Sequence, residues 1–520
     1  MSLPETCDIL VVGSGNAGFS AALAAISEHA KSVVLIEKAS EEWAGGNSYF
    51  TAGAYRTVHD GIGDLKSIVS NVDSTTAELI DLPPYSDWDF RADMDRICYG
   101  RSDPELSEIL IKDSRETISW LKANGIEFHL SFNRQAYKVD GRYKFWGGLA
   151  LKTRDGGKSL LSDYQEAARR KGIKVFYSTV LKRLLTDPET GKITSVVVST
   201  PTGNRVIKTG AVVLAAGGFE SNPRLRSQYL GPGWDLAKVR GTPFNTGECL
   251  DIAIRDASAM QTGNWSGCHS VAWDANAPSH TGNREASNEF TKSGYPLGLM
   301  LNADGERFVD EGIDLRNYTY AKFGRAILNQ PHQIAFQLWD SRTIPWLRKE
   351  EYRPERVERI LADSIEELAE KLVPLGLQHQ DRLISTVRTY NETCRAFKSE
   401  QPERRWDPAI LDGLSTQSST MQLPLAKSNW AQALDSPPFM AVRVTCGITF
   451  TFGGLKVVPE TAQVVDLSGE PISGLYCAGE MLGGLFYENY PGGSGLTSGA
   501  VFGRRAGVAA AREVSSRQLP

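Results

Sequence analysis

The 520-residue sequence contains no CxxC pair, no long apolar run and no surplus of basic side chains. Its seven cysteines are scattered, and their odd number argues against a disulfide framework and against an iron–sulfur cluster. No apolar run approaches the ~18 residues of a membrane span. The first residues, MSLPETCDILVVGSG, lack the basic region of a signal peptide. We therefore expect a cytoplasmic protein with no membrane span and no metal site.

The charge balance argues against one class of partner. The sequence has 57 basic and 62 acidic side chains and a formal net charge of −5 at pH 7. Nucleic-acid-binding domains usually carry a basic surplus on one face, so we expect no nucleic-acid partner. An anionic small molecule is compatible with this composition, because a few local arginines are enough to bind one.

The N-terminal segment contains a βαβ pattern. The apolar run CDILVV precedes GSGNAG, a helix of small residues follows, and a second apolar run, SVVLIEK, ends in an acid. Gly13, Gly15 and Gly18 occupy GxGxxG positions, which permit a tight turn, the approach of a pyrophosphate and close helix–strand packing. Glu37 stands where an acid accepts hydrogen bonds from a ribose. This context predicts a dinucleotide site, and the alternative is a purely structural βαβ turn.

The C-terminal glycine cluster indicates which dinucleotide binds. The apolar strand ISGLYCAGE (472–480) ends at Glu480, and YPGGSGLTSGAVFG (490–503) leads into a predicted helix at Leu496. Each glycine inside a helix costs about 1 kcal/mol relative to alanine, so we expect a ligand to lie against this backbone. An acid for the ribitol and a helix N-terminus for the reduced ring suit a flavin. The alternative is a loop that merely needs positive φ.

The sequence shows no second strand–GxGxxG–helix unit that would bind a nicotinamide. We therefore expect tightly bound FAD, a small-molecule substrate and an external electron acceptor, which is a protein, a quinone-linked partner or O₂. Glycine-rich core patterns occupy both ends of the chain, whereas the middle has more Trp, Pro, Asn and charge. This distribution predicts an α/β fold in which a Rossmann-like FAD-binding domain (1–262 and 436–520) is interrupted by an α+β capping domain (263–435).

Many segments resemble the flavoprotein family of fumarate reductases, succinate dehydrogenases and 3-ketosteroid dehydrogenases. They are GSGNAG, GGNS, AAGGF, NTGE, NADGERFVDE, PPFMAV, TFGGL and YCAGE with the later GGSGLTSGAVFGRRAG. Within the family, GNWSGCH, RNYTYAKFGRA and GLFYENYPGGSGLTSG are most similar to FAD-dependent tricarballylate dehydrogenases and their relatives, which include flavoproteins of precorrin-3B chemistry. The resemblance implies the same Rossmann-like FAD domain with a capping domain.

The resemblance also implies which residues contact FAD. The expected contacts are Gly13, Gly15, Asn16, Ala17, Gly18, Glu37, Lys38, Gly46, Asn47, Ser48, Ala52, Gly53, Val180, Ala216, Gly217, Glu480, Gly495 and Leu496. His59 follows the GGNS loop, but no motif marks it as a covalent tether. We therefore expect FAD to be bound non-covalently.

The sequence departs from the fumarate reductases at the substrate positions. Those enzymes hold one carboxylate with a histidine before the TxGG segment and an arginine before the C-terminal glycine loop; here the residues are Phe450 and Tyr490. The family's Thr-Glu pair is replaced around Phe290–Thr291. Fumarate or succinate is therefore not expected in the usual pose. His269 and Arg316 do match, as the substrate-binding histidine and the proton-transferring arginine.

The resemblance implies that two hydrogens are removed or added across a C–C bond next to a carboxylate or carbonyl. Flavin N5 exchanges the hydride, a protein group exchanges the proton, and the substrate oxygen needs electrostatic support. We expect Arg316 at the proton position, with Asp310 or Glu311 behind it, because arginine alone is a poor base. The alternative is that Arg316 only forms a salt bridge to the RFVDE segment and holds the cap.

Other side chains are candidates for substrate contacts. His269 binds a substrate carboxylate or is a satisfied core histidine. Tyr295, Tyr487 and Tyr490 hydrogen-bond a substrate oxygen or only pack against their neighbours. Tyr490 is the best placed of the three, because it directly precedes the glycine cluster.

Three functions stay open at this point. The first is an FAD-dependent dehydrogenase or reductase of a tricarballylate-like or carbonyl-activated small molecule. The second is a 3-ketosteroid-type dehydrogenase, or an oxidase that passes electrons to O₂. The third belongs to another class and is a non-catalytic flavin-binding scaffold or sensor.

Overall fold

The computed structural model describes residues 3–516, and the outermost ends of the predicted FAD-binding segments (1–2 and 517–520) lie outside the described residues. The strands, numbered in chain order, are β1 Thr6–Val12, β2 Val33–Ile36, β3 Ala54–Tyr55, β4 Ile80–Asp81, β5 Phe128–Leu130, β6 Ala136–Val139, β7 Arg142–Phe145, β8 Leu151–Thr153, β9 Lys174–Phe176, β10 Val180–Thr186, β11 Ile193–Thr200, β12 Gly203–Leu214, β13 Lys238–Val239, β14 Gln261–Asp274, β15 Leu299–Asn302, β16 Ala335–Trp339, β17 Ile360–Ala362, β18 Phe439–Leu455, β19 Val457–Val458, β20 Gln463–Val465 and β21 Pro471–Cys477. The helices are α1 Asn16–Ser27, α2 Ile62–Leu65, α3 Ser74–Glu78, α4 Asp87–Ile97, α5 Pro104–Ala123, α6 Phe132–Gln135, α7 Gly156–Arg170, α8 Pro223–Leu225, α9 Glu248–Ala257, α10 Tyr320–Leu328, α11 Lys349–Tyr352, α12 Ile365–Leu372, α13 Gln380–Glu400 and α14 Ser494–Ser516.

The larger sheet has nine strands in the order β19-β20-β21-β12-β1-β2-β9, with β10 and β11 paired beside β12. Strands β21, β12, β1, β2 and β9 run parallel, and Val12 lies opposite both Ile36 and Leu214. All four residues of β2 are buried, as expected for a parallel strand that is covered on both faces. The predicted α/β fold with a Rossmann-like sheet is confirmed.

Helix α14 packs so closely on α1 that three of its glycines leave no room for a side chain. A Cβ on Gly499 would lie 2.7 Å from Asn16 Nδ2, one on Gly503 would lie 2.5 Å from the carbonyl oxygen of Ala17, and one on Gly507 would lie 2.1 Å from that of Ala21. Larger residues would push the two helices apart. Helix contact therefore explains Gly503 and Gly507, whereas Gly499 also lines the cavity described below.

The second sheet has six strands and is organised around the long strand β18. Strand β18 pairs antiparallel with β14, β16 and β17. Because β18 begins at Phe439, the predicted boundary at 435/436 separates it from β15, β16 and β17 of its own sheet. The domain division from the sequence stays a prediction, and β18 links the two sheets through residues 450–455.

A third layer, residues 54–153, covers one side of the junction between the two sheets. It contains helices α4 and α5 and two small sheets, β3-β8-β5 and β4-β7-β6. The short helix α6 lies between the strands of these sheets and contributes a side chain to the site described below. Among residues 3–516, no helix has both the length and the apolar composition needed to cross a membrane. All seven cysteines are unpaired thiols.

Candidate active site

A long cavity runs from the carboxyl end of β1 and β2 to the junction of the two sheets. At its first end Gly13 has φ +106°, and a Cβ there would lie 2.4 Å from the carbonyl oxygen of Ala215, so this turn requires glycine. Glu37, at the end of β2, accepts hydrogen bonds from the backbone N–H (3.0 Å) and the hydroxyl (2.6 Å) of Ser14. This end has the geometry of a dinucleotide site.

The N-termini of α1 and α14 meet at the centre of the cavity. The side-chain amide of Asn16 donates to the carbonyl oxygen of Leu496 at 2.8 Å and joins the two helix starts. At Gly495 the protein atoms nearest to a Cβ would be 3.6 Å away, so a side chain there would enter the cavity instead of clashing. The lining is therefore shaped for a flat ligand on bare backbone and two positive helix ends, which fits FAD.

The structure places the predicted cofactor contacts in two groups. All of them line the cavity except Gly18 and Gly53. A Cβ on Gly18 would lie 1.9 Å from the carbonyl oxygen of Gly13, and one on Gly53 would lie 2.0 Å from the hydroxyl of Thr153. Both glycines permit close packing of the chain behind the cavity wall. His59 also does not line the cavity; its backbone pairs with Tyr85.

The carboxyl groups of Glu220, which is buried, and Glu480, which is half-buried, meet at the cavity wall. Glu480 accepts from the backbone N–H (2.6 Å) and hydroxyl (3.0 Å) of Thr451. Glu220 accepts from the amides of Asn47 (2.6 Å) and Asn245 (2.7 Å) with one oxygen, while its other oxygen has no donor. Burial and the neighbouring Glu480 raise the pKa of Glu220 well above its usual value, which favours the neutral carboxyl.

Aromatic rings surround the other end of the cavity. The ring centroids of His269 and Phe450 lie 5.4 Å apart, and those of Phe450 and Tyr490 lie 5.1 Å apart. His269, on β14, is buried, and its Nδ1 has no hydrogen-bond partner. Burial, with a contribution from Arg240, lowers the pKa of His269 well below its usual value, so the imidazole is neutral. His269 and Tyr490 therefore face the cavity, as their sequence positions suggested.

Two arginines enter the same end of the cavity. Arg240, directly after β13, donates to the hydroxyl of Thr449 at 3.1 Å and to the side chain of Asn288, and its Nε has no partner. Burial lowers the pKa of Arg240 to about 10, so it stays charged at neutral pH. Arg134, on α6, lies 3.6 Å from Glu351. Sequence reasoning missed both arginines, because neither belongs to a recognisable motif.

Arg316 lies behind Arg134 and does not line the cavity. Its guanidinium donates to the hydroxyl of Tyr137 at 3.2 Å and to the carbonyl oxygen of Arg134. Its position on the turn before α10 directs it into the layer formed by 54–153. Within residues 3–516 Arg316 forms no ion pair, so the structure contains neither the expected relay nor the alternative salt bridge to RFVDE.

The two acids expected behind Arg316 have other partners. Glu311 accepts from Arg307 at 3.2 Å and from the backbone N–H of Met300 at 2.9 Å. Asp310 accepts from the backbone N–H groups of Gly312 (2.9 Å) and Ser428 (3.0 Å). The two acids of the RFVDE segment are therefore hydrogen-bonded to neighbouring residues and to other parts of the cap.

The tyrosines of this region also differ in whether they line the cavity. The hydroxyl of Tyr295 lies 2.8 Å from that of Thr319, and its ring packs on Phe323, so it belongs to the cap interior and not to the cavity. Tyr487 does not line the cavity either. Tyr320, at the start of α10, does line it, although sequence reasoning did not single it out.

Three arginines lower the pKa of Tyr320. Burial alone would raise the pKa of the Tyr320 phenol, but Arg348, Arg134 and Arg316 outweigh burial and lower it below its usual value. These guanidiniums stabilise the phenolate, so the phenol gives up its proton more readily than an isolated tyrosine. The positive charge in the cluster is balanced partly by Glu351, whose pKa Arg348 and Arg134 lower to about 2 against the effect of burial.

A dinucleotide cradle that opens into a cleft with arginines, a phenol and an imidazole defines a flavin-dependent oxidoreductase. Residues 8–496 match the family described as FAD binding domain, and the chain belongs to that family. FAD is therefore its cofactor, and the chain is an FAD-dependent dehydrogenase or reductase that acts on C–C bonds. The predicted relationship to fumarate reductase and succinate dehydrogenase flavoproteins is confirmed.

Known proteins resemble the chain over almost its whole length. It is 27% identical to the fumarate reductase (cytochrome) of Shewanella frigidimarina, over 98% of this chain and 77% of the relative. It is also 27% identical to the vinyl phenol reductase of Lactiplantibacillus plantarum, over 99% of this chain and 98% of the relative. The open conformation of a flavocytochrome c3 fumarate reductase matches with a TM-score of 0.71 and 26% identity, over 98% of this chain and 79% of that one.

Proposed function

We propose that the protein reduces, or in the opposite direction dehydrogenates, a C–C bond next to a carboxylate or carbonyl group of a small molecule. The observation that carries this proposal is that Arg134, Arg240 and Tyr320 enter the same cavity as the N-terminus of α14. The two guanidiniums would hold the carboxylate and stabilise the negative charge that develops on it during proton exchange. Relatives named as reductases of fumarate and of vinyl phenol support a C=C bond as the reacting group.

Bound FAD supplies a hydride at N5 in the reducing direction and accepts it in the other direction. Tyr320 would hold the proton at its phenol oxygen, giving it to the carbon next to the carboxylate during reduction and taking it back during dehydrogenation. His269, as a neutral imidazole, would hydrogen-bond a substrate oxygen. Tyr490 would close the cleft beside it.

Arg316 becomes a positioning residue in this proposal. It donates to the backbone carbonyl of Arg134 and lowers the pKa of Tyr320 without facing the cavity. Burial and Arg348 lower the pKa of Arg316, but its guanidinium does not line the cavity, whereas the phenol of Tyr320 does and can exchange a proton there. The proton role expected of Arg316 is therefore better filled by Tyr320, which lies one helical turn further along the chain.

The electron partner is external to the chain and is a protein, a quinone-linked partner or O₂. We place the reaction in the cytoplasm, because seven unpaired thiols suit a reducing compartment.

Anaerobic absorbance of the holoprotein tests the proposal. Tricarballylate, which the segment resemblance favours, is the first acid in the panel and should bleach the oxidised flavin if dehydrogenation is the favoured direction. Unsaturated acids should reoxidise the reduced flavin in the other direction. Bleaching only by a 3-ketosteroid, or peroxide release in air, would support the second function instead. A flavin that responds to no substrate would identify a non-catalytic scaffold or sensor.

A further inference from the structure

Two groups of side chains with opposite chemistry line the substrate end of the cavity. Phe450, Phe486 and Tyr490 form an aromatic group, in which the ring centroids of Phe450 and Phe486 lie 5.1 and 5.5 Å from that of Tyr490, at 79° and 66°. Arg134 and Arg240 form a cationic group. Tyr490 also lies near the cationic group. Burial raises the pKa of Tyr490, and the charge of Arg240 opposes that rise.

The lysine and arginine side chains that line the cavity lie in two places. Among residues 3–516, the lysines and arginines that line it are Lys38, Arg134 and Arg240. Lys38 lies at the nucleotide end, where it pairs with Glu248 at 2.6 Å. His269 is neutral and adds no charge. Two arginines that bind one carboxylate therefore leave no lysine or arginine in the described lining of the substrate end for a second carboxylate.

Unpaired donors mark where the carboxylate binds. Arg240 is 8% exposed, and its Nε has no hydrogen-bond partner; His269 is 2% exposed, and its Nδ1 has none. Buried polar groups without partners are costly, so a ligand oxygen at this point would stabilise the site. Both side chains belong to the cavity lining, and the ring of His269 packs against those of Phe450 and Tyr490.

The aromatic group lies next to the expected place of the flavin. A Cβ on Gly495 would lie 3.6 Å from ring atoms of both Phe450 and Tyr490, so a group packed on these rings is adjacent to the start of α14. Rings that pack edge to face prefer a further planar partner over a hydrated charge. The fumarate reductases place charged carboxylate-binding residues at the positions of Phe450 and Tyr490, which a planar apolar group replaces here.

On the basis of the proposed function, we propose that the substrate is a monocarboxylate in which the reacting C=C bond joins the carboxylate to a planar apolar ring, as in 3-arylacrylates and the 3-arylpropanoates formed from them. Arg134 and Arg240 bind the carboxylate, and Phe450, Phe486 and Tyr490 bind the ring. In reduction, bound FAD in its reduced form would supply the hydride for the carbon bearing the ring, and Tyr320 would give a proton to the carbon bearing the carboxylate. The external partner would return the two electrons to the flavin, and Tyr320 would regain its proton from solvent.

Binding to the oxidised holoprotein, recorded as the spectral shift that precedes any bleaching, tests the substrate class. Perturbation of the flavin absorbance gives the Kd of (E)-3-phenylacrylate, fumarate, tricarballylate and styrene, which has the ring but no carboxylate. We expect (E)-3-phenylacrylate to bind about tenfold or more tightly than each of the others, because it alone satisfies both groups. Equal or tighter binding of fumarate or tricarballylate would overturn the inference.

Substitutions test which side chains bind the carboxylate and which bind the ring. Arg240→Gln should weaken (E)-3-phenylacrylate about tenfold and leave styrene unchanged. Tyr490→Arg should shift the preference towards fumarate, because it returns a cation to the aromatic end. Tyr487→Phe, outside the cavity, is the matched control and should change neither Kd. A Tyr490→Arg variant that keeps the wild-type preference while binding FAD normally would contradict the inference.

Reoxidation of the reduced holoprotein separates this inference from the proposed function. If fumarate reoxidises the flavin and (E)-3-phenylacrylate does not, the C=C reductase function holds and the substrate class is wrong. If (E)-3-phenylacrylate binds with the expected preference and no unsaturated acid reoxidises the flavin, the ligand class holds and the proposed reaction is wrong.

Discussion

The rings of His269 and Tyr490 lie edge to face, with centroids 4.7 Å apart and an interplanar angle of 76°. This contact joins β14 of the second sheet to the loop before α14, so it connects the cap with the flavin-binding backbone. Burial and the nearby charge of Arg240 keep His269 neutral. The substrate end of the cavity therefore combines a neutral aromatic surface with the guanidinium of Arg240.

Tyr320→Phe tests the proton role. Removing the phenol oxygen should lower kcat by about 10²- to 10⁴-fold, while FAD content and absorbance stay unchanged. Tyr295→Phe is the matched control, because Tyr295 is also a buried cap tyrosine but hydrogen-bonds Thr319 away from the cavity. It should cost about 1 kcal/mol of stability and little activity. Equal loss of kcat in the two variants would exclude the role assigned to Tyr320.

Arg240→Gln tests carboxylate binding in steady-state kinetics. The variant loses a buried charge that donates into the cavity, so KM for an acid substrate should rise about tenfold or more. The effect on kcat should be smaller than that of Tyr320→Phe. A KM equal to that of the wild type would place the carboxylate elsewhere in the cleft.

Glu220→Gln tests the protonated carboxyl. Because burial and Glu480 raise the pKa of Glu220 in the folded state, its contribution to stability is complete below the unfolded pKa, about 4.3, and is lost as pH rises towards the folded pKa. Glutamine keeps a donor for Glu480 and cannot ionise. The Tm of the variant relative to that of the wild type should therefore rise as the pH increases above the unfolded pKa of about 4.3. Parallel Tm curves would show that Glu220 is not neutral.

A pair of glycine substitutions separates packing from cofactor binding. Gly507→Ala places a Cβ 2.1 Å from the carbonyl oxygen of Ala21 and should destabilise the fold by about 1–3 kcal/mol, seen as a lower Tm of the apoprotein. Gly495→Ala places a methyl group in the cavity and should weaken FAD binding with a smaller change in apoprotein Tm. If the two variants had the same effects, the flavin would not lie on the backbone at Gly495.

The sequence predicts the cofactor half of the site better than the substrate half, for a physical reason. Gly13, Gly15 and Glu37 belong to one βαβ unit, and their spacing along the chain fixes their spacing in the structure. The substrate residues come from α6, the end of β13 and the start of α10, which only tertiary packing brings together. No local pattern shows that Arg134 and Arg240 share a cavity.

Arg316 and the glycines of α14 show where local reasoning goes wrong. Arg316 occupies the expected stretch of sequence, but its side chain points to Tyr137 and the backbone of Arg134, a direction that sequence position does not determine. Gly503 and Gly507 belong to a glycine-rich segment for which a ligand was expected, yet helix α1 accounts for them. In both cases the partner is distant in sequence.

Single-turnover reoxidation of the reduced holoprotein tests the central claim most directly. Under anaerobic conditions, mixing with an α,β-unsaturated carboxylate should restore the absorbance of oxidised flavin in the wild type, far more slowly in Tyr320→Phe, and only at higher acid concentration in Arg240→Gln. The account would be contradicted if the protein stayed colourless after incubation with FAD, or if both variants were reoxidised at the wild-type rate at every acid concentration.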